Sequence, residues 1–292
     1  MGGFFSQRLY FMSAIVTPVP TKRLHVQIAS ATVPGTEHVL PGRPNWKNNQ
    51  DGFAVLSLPS GTTIAVVCDG CSDGEHSEVG AQLAAPMLVQ ILEEELAQRV
   101  VASRLHWPDI RNRLIHKLTQ VASMMGRDLQ KVVRDYFLFT TIGFIITQED
   151  ILFFYIGDGV YIVNGVPTVL GPFPDNAPPY LMYAVTGSPV FDRDPSLAYF
   201  SVRRYRTTDI KSVGVGCDGV EDFILVADHC FPGTSEVVGE LGQVFTPPFF
   251  ENPDRLRRLL ARANKETAQG SHVEPGLLPD DTTLVIATIN LT

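Results

Sequence analysis

Residues 139–170 read FTTIGFIITQEDILFFYIGDGVYIVNGVPTVL, and this stretch decides the fold. Phe139–Thr147 and Ile151–Ile156 are apolar runs, rich in β-branched and aromatic residues, on either side of the polar turn Gln148-Glu149-Asp150. Their length and composition suit buried strands better than helices. Val160–Val163 and Val166–Leu170 then flank Asn164-Gly165, a dipeptide that closes a two-residue hairpin because both residues accept positive φ. Strands joined by such short turns run antiparallel. The regular β-α-β alternation that a doubly wound parallel sheet needs is absent.

The same reading extends outward in both directions. His25–Ala31 alternates weakly as a strand, and Val33–Asn49 is a loop rich in Pro, Gly and Asn. Gly52–Leu58 and Thr62–Cys68 form a hairpin across Pro59-Ser60-Gly61. Ser77 to about Ser103 carries Val79, Leu83, Met87, Leu88, Ile91, Leu92 and Leu96 at helical spacing, with Ser77 as N-cap and a bend or a fresh turn at Pro86. A second helix is expected from about Pro108 to Tyr136, its core-facing stripe including Leu114, Leu118, Val121 and Met125, with Met124 and Met125 as core filler. Residues 171–200 hold six prolines and read as a long loop or flap beside a site. Lys211–Gly216 is a strand, Val220 to about Asp228 a short helix, residues 231–252 loop-rich, Asn252 or Pro253 to about Gln269 a helix, and Thr282–Ile289 a last strand. No composition break divides residues 1–292, so one domain is expected, with residues 1–24 as a tail or added first strand. The fold class is α+β, with mainly antiparallel sheets and helices packed outside them.

The chain has 292 residues, 45% hydrophobic and 18% charged, enough to bury a sizeable core. No apolar run reaches the ~18–20 residues of a membrane span, and no signal peptide is read at Met1–Thr17. A net charge of −8 repels nucleic acid, and Arg203, Arg204 and Arg206, like Arg255, Arg257 and Arg258, read as solvated faces. Cys68, Cys71, Cys217 and Cys230 are too few for a disulfide scaffold at this length. Cys68-x-x-Cys71 has no second pair to complete a zinc site, and a reducing cytoplasm is expected.

Aspartates recur at strand ends. Ile64–Cys68 ends at Asp69-Gly70, Ile151–Ile156 at Gly157-Asp158-Gly159, Val213–Cys217 at Asp218-Gly219, and Pro279-Asp280-Asp281 precedes the last strand. Each Asp-Gly alone marks an ordinary turn. Several converging carboxylates repel one another unless cations neutralise them. Hard ions such as Mg²⁺ or Mn²⁺ take such oxygen ligands, and a pair of them supplies a low-pKa water and clamps a phosphoryl group.

Five ordered motifs give the chain a resemblance to the metal-dependent Ser/Thr protein phosphatases of type 2C over about residues 25–290. Asn48-Asn49-Gln50-Asp51 is similar to the family's N-x-[EQ]-D. Val66–Gly70 followed by Ser77–Ala81 looks like its V-x-D-G segment. Thr140-Thr141 with Ile156-Gly157-Asp158, Gly216–Asp222, and Asp280–Val285 resemble the T-T … V-G-D, C-S-D-G-x-x-D and D-[ND]-x-T-x-V motifs. The resemblance implies a four-layer α-β-β-α sandwich of two mainly antiparallel sheets flanked by helices. It implies two Mn²⁺ or Mg²⁺ ions, bridged by Asp69, with the Gly70 carbonyl on one and Asp218 and Asp280 on the other. Asp51 holds a metal-bound water, and Asp158, Asp218 and Asp222 match a third, weaker metal position found in some members. The implied reaction is hydrolysis of phosphoserine and phosphothreonine in proteins by a metal-activated water, opposing a Ser/Thr kinase, in a monomer.

Departures from the family pattern locate the open questions. The family's phosphate-gripping Arg falls at Trp46, with Arg43 and Lys47 as nearby substitutes. Gln50 stands where some members have a Glu ligand. The loop Cys71–His76 is rebuilt, leaving His76 or a metal-bound water as the leaving-group acid. Asp281 stands where many members have Asn, so either Asp280 or Asp281 suits the ligand role, and spacing favours Asp280. These departures keep open a second class of function, a pseudophosphatase acting as a regulatory binding module, and a third, a small-molecule phosphoesterase.

Overall fold

Two five-stranded sheets, each antiparallel throughout, lie face to face. The computed structural model describes residues 23–39, 47–98, 102–174, 177–252, 254–269 and 272–292. The first sheet takes the order β2-β3-β4-β5-β8, from β2 (Gly52–Ser57), β3 (Thr63–Gly70), β4 (Phe139–Ile146), β5 (Asp150–Ile156) and β8 (Ser201–Arg206). The second takes the order β1-β12-β9-β6-β7, from β1 (Leu24–Val33), β12 (Thr282–Leu291), β9 (Ser212–Gly216), β6 (Gly159–Val163) and β7 (Val166–Leu170). A small hairpin of β10 (Thr267–Gln269) and β11 (His272–Glu274) stands apart.

Alternation along the strands builds three apolar layers. In β3, Ile64, Val66 and Cys68 pack against α2 (Glu78–Gln98), α3 (Trp107–Met125) and α4 (Leu129–Tyr136). Ala65 and Val67 turn the other way and meet Val213, Val215, Val285 and Ala287 of the second sheet. The outer face of that sheet, through Val160, Ile162, Leu284 and Ile286, packs on α7 (Gly219–Leu225) and α9 (Arg255–Ala263). Helix, sheet, sheet and helix therefore stack in four layers. Each fully buried Leu or Phe, such as Leu88 or Phe154, contributes about 1.5–3 kcal/mol relative to exposure. Four short helices complete the elements: α1 (Thr36–Val39), α5 (Tyr183–Thr186), α6 (Pro189–Arg193) and α8 (Pro248–Glu251). No helix among the described residues is long and apolar enough to cross a membrane.

The predicted hairpins form in register. Asn164 (φ 51°) and Gly165 (φ 80°) both take positive φ at the β6–β7 turn. The helices depart from expectation in three places. The stretch Pro108–Tyr136 is two helices, because the chain breaks after Met125 and Asp128 caps α4 by accepting from the Lys131 N–H at 3.0 Å. Met124 and Met125, at that break, are exposed instead of filling the core. The expected helix to Gln269 stops at Ala263, and Thr267–Gln269 is strand. Pro86 is accommodated inside one continuous α2.

Two loop expectations also change. Residues 171–200 are not simply loop: they include α5 and α6, and Leu181 and Met182 are fully buried. Ser201–Arg206, read as a solvated basic run, is edge strand β8, and Arg204 makes a two-pronged pair with the buried Asp150 at 2.9 Å on each arm.

Candidate metal centre

The pleat that sorts the core also aims the acids. Asp69 follows Ala65 and Val67 on the inter-sheet side of β3. Asp51, two residues before Phe53, emerges on the same side, and the pairing of Gly52 with Cys68 sets Asp51 beside Asp69. Across the gap, Cys217 continues the inward side of β9, and its N–H donates to the Thr283 carbonyl at 3.1 Å, so the ends of β9 and β12 meet. Asp51, Asp69 and Cys217 each place a potential ligand atom within 4.8 Å of the others.

A cavity of about 80 Å³ is bounded by Asp69, Asp158, Asp218 and Asp280, with Gly70, Thr140 and Tyr180 among its walls. Asp218, Asp280 and Ser72 also wall a larger cleft of about 890 Å³, which adds Asp222, Asp73, Glu37, Glu221, His38 and Lys47. Asp69, Asp158, Asp218, Asp222 and Asp280 thus converge from four strand or helix ends, and Asp51 stands behind them.

Burial and mutual repulsion make this cluster costly as bare anions. Burial first, then the charges of Asp218 and Asp51, push Asp69 well above the ordinary carboxylate range. Burial and then Asp281 push Asp51 up to about 8. Burial with the Asp218 charge raises Asp158 to about 7, and Asp222 and Asp280 to about 6. Both carboxylate oxygens of Asp51, and Oδ1 of Asp218, are buried without a hydrogen-bond partner. The nearest hydroxyl and thiol are committed elsewhere, Thr283 Oγ1 donating to Thr32 Oγ1 at 2.7 Å and Cys217 Sγ to the Asp281 carbonyl at 3.2 Å. Unpartnered buried carboxylate oxygens facing other carboxylates can hold cations, and the oxygens of Asp69, Asp158, Asp218 and Asp280 around the cavity suit hard divalent ions.

Asp280 and Asp281 differ in their partners, although with His38 they also form a group of potential ligand atoms within 4.8 Å of one another. Asp281 is buried and accepts from the Gly35 N–H at 2.7 Å and the Gln50 N–H at 2.6 Å, while His38 Nδ1 lies 3.0 Å from its Oδ2. Its oxygens are occupied in holding the chain together. Asp280 is half-buried and faces both cavities, with one hydrogen bond from the Asp281 N–H at 2.7 Å. His38 also approaches Asp280 Oδ1 at 3.7 Å, and Asp281 raises the imidazole pKa against the opposing effect of burial. Sequence reasoning missed His38. It lies in the short helix α1, within a stretch whose sequence reads as loop, and only its contacts with Asp280 and Asp281, far along the chain, mark it.

The rebuilt loop is held from three sides. A Cβ at Gly70 would meet Gln50 O and Ser77 Oγ at 2.7 Å, so only glycine lets the backbone pass there. Gln50 Nε2 donates to Ser77 Oγ at 2.6 Å, and Ser77 Oγ donates to the Cys71 carbonyl at 2.9 Å. Ser77 therefore ties the loop and does not cap α2 as expected. Lys47 Nζ donates to the carbonyls of Ser72 and, at 2.9 Å, Gly74. It lines the large cleft, but two of its three N–H groups are spent on the loop. His76 borders neither cavity: it stacks on Tyr136 at 5.5 Å and lies 3.5 Å from Glu78 Oε1. The structure thus does not bring His76 to the acids. Arg43 and Trp46 fall outside the described residues.

Comparison with known proteins accords with this geometry. The fold is shared with a bacterial serine phosphatase, at 13% identity over 92% of this chain and 99% of that one, with a TM-score of 0.54. The chain is also similar to the S. agalactiae serine/threonine phosphatase (17% identity, 91% and 100% coverage, TM-score 0.49). A third similar structure is the catalytic domain of the serine/threonine protein phosphatase PstP in complex with two manganese ions (15% identity, 91% and 99% coverage, TM-score 0.49). No curated protein matches the chain. The family model for protein phosphatase 2C matches residues 35–260, and the chain belongs to that family.

Proposed function

We propose that this protein hydrolyses phosphoserine and phosphothreonine esters in proteins, with Mn²⁺ or Mg²⁺ ions held by Asp69, Asp218 and Asp280 and by the Gly70 carbonyl. The observation that carries this reading is the cluster of converging carboxylates with buried, unpartnered oxygens on Asp51 and Asp218. When bound, such ions lower the pKa of water and neutralise charge on phosphoryl oxygens. The protein's own groups do the rest. Asp51, behind Asp69, accepts a proton or a hydrogen bond at its free carboxylate oxygens and so orients water. Asp158 and Asp222 offer oxygens for a third ion. Asp281 and His38 fix the start of β12, and Lys47 fixes the loop that carries Ser72 and Asp73. The substrate is a phosphoprotein supplied by a Ser/Thr kinase, in the cytoplasm, where the free cysteines stay reduced.

The test is hydrolysis of phosphoserine and phosphothreonine peptides across Mn²⁺, Mg²⁺ and Ca²⁺, with chelator and Asp218→Ala as controls. Turnover that requires the ion and Asp218 supports the reading. Metal binding without turnover of any phosphoester in any ion overturns it in favour of a binding module. That second reading draws on two observations: His76 lies away from the acids, and Lys47 is largely committed.

A further inference from the structure

A site walled by carboxylates needs donors for the phosphoryl oxygens. Of the two sequence candidates for that role, Lys47 is engaged with Ser72 and Gly74, and Arg43 lies outside the described residues. Tyr180, from the proline-rich segment, does line the cavity of about 80 Å³ beside Asp69, Asp158 and Asp218. Its hydroxyl faces that side, where its neighbours are the Cys71 thiol, Asp69 and Asp158.

The phenol is also held rigidly. Tyr180 is buried within the first apolar layer, Leu181 and Met182 after it are fully buried, and the Tyr183 N–H donates to its carbonyl at 3.1 Å. Its ring meets that of Tyr183 edge-on at 5.2 Å, and Tyr183 in turn meets Phe191 at 5.8 Å. The neighbour of the hydroxyl on this side is the Cys71 thiol, a weak hydrogen-bonding group that a phosphoryl oxygen outcompetes. A neutral donor has a further advantage in this pocket. An arginine at the same place would pair with the aspartates and compete with the divalent ions for them, whereas a phenol leaves every carboxylate free.

Resting on the phosphatase reading above, we propose that Tyr180 is a phosphoryl-binding residue, its O–H donating to a non-bridging oxygen of the phosphate that enters this cavity. The test uses the full chain loaded with Mn²⁺. Calorimetry measures the affinity for inorganic phosphate and for Mn²⁺, and steady-state kinetics measures hydrolysis of an aryl phosphate. Tyr180→Phe keeps the ring and its packing. It is expected to weaken phosphate binding and raise KM roughly tenfold to a hundredfold, the worth of one hydrogen bond to a charged group. Mn²⁺ affinity and melting temperature stay at wild-type values. Tyr183→Phe, the control, leaves all four quantities unchanged. Phosphate affinity indifferent to Tyr180→Phe overturns the proposal, and so does a parallel loss of Mn²⁺ affinity, which makes the phenol a servant of the cations. Phosphate binding that depends on Tyr180 in a wild-type protein with no turnover refutes the phosphatase reading and leaves Tyr180's role intact. Absence of phosphate binding in the wild type refutes the proposal for Tyr180, while ion-dependent turnover decides the phosphatase reading separately.

Discussion

Replacing Asp51 with asparagine is expected to stabilise the metal-free protein. Its carboxylate is buried, its two oxygens have no hydrogen-bond partner, and its pKa is pushed from the ordinary 3.8 to about 8. Because the folded-state pKa is raised, stability is greatest below the unfolded pKa and is lost as pH rises toward the folded one. At pH 7.5 the unfolded chain carries Asp51 ionised and the folded chain carries it protonated. The difference of nearly four pKa units sets a ceiling of about 5 kcal/mol. Asp51 shares its site with other acids that relax together, so we take about half of that ceiling, 2–3 kcal/mol. For a chain of this length that is roughly 5–10 °C in melting temperature. The assay is thermal or urea unfolding of wild type and Asp51→Asn in excess chelator at pH 7.5 and at pH 4, with urea midpoints confirming that the slope is unchanged. The gain belongs to pH 7.5 and vanishes at pH 4. A variant that is neutral or less stable than wild type in chelator at pH 7.5, or that gains equally at pH 4, refutes the reasoning.

Other outcomes follow from the same geometry. Stability of the metal-free wild type falls as pH rises from about 4 to about 8, the window set by Asp51, Asp158, Asp222 and Asp280, and saturating Mn²⁺ flattens that slope in a pH series of melts. Asp69→Asn lowers Mn²⁺ affinity by at least roughly tenfold and abolishes ion-dependent hydrolysis, read by calorimetry and by an aryl phosphate assay. Lys47→Met removes two hydrogen bonds from a charged donor to the loop and accelerates amide exchange across Ser72–His76 in a mass-spectrometric time course, while exchange in β3 stays slow. His76→Ala, remote from both cavities, keeps wild-type kcat and KM on the same aryl phosphate.

Elements with a local signature were legible in the sequence. The β6–β7 hairpin follows from Asn164-Gly165, and β7 spans the very residues its pattern marks. β8 was not legible, because a mostly exposed edge strand has no apolar run: only Val202, packed on the helix side, and Tyr205, packed on the inter-sheet side, are half-buried, among exposed Ser201, Arg203, Arg204 and Arg206. The break between α3 and α4 was hidden for the opposite reason. Both helices pack on one core, so the stripe from Ile110 through Leu118 to Val132 continues across Gly126 as though the helix did. The strand-end aspartates could be read because they follow apolar runs. Which of Asp280 and Asp281 faces the cleft, the place of His38, and the entry of Tyr180 depend on contacts between segments far apart in the chain, and no local period encodes them.

Asp281 has a bearing on the order in which the molecule becomes competent. Its carboxylate fastens Gly35 and Gln50, more than two hundred residues earlier, and β12, which it precedes, sits between β1 and β9. During synthesis, Asp69, Asp158 and Asp218 leave the ribosome well before the segment that closes their site. Until β12 arrives, β1 has no neighbour in its sheet, and the start of β2 lacks the anchor that sets Asp51 in place. A growing chain therefore carries most of the acids but no assembled cluster, and the cluster is completed only when β12 joins its sheet.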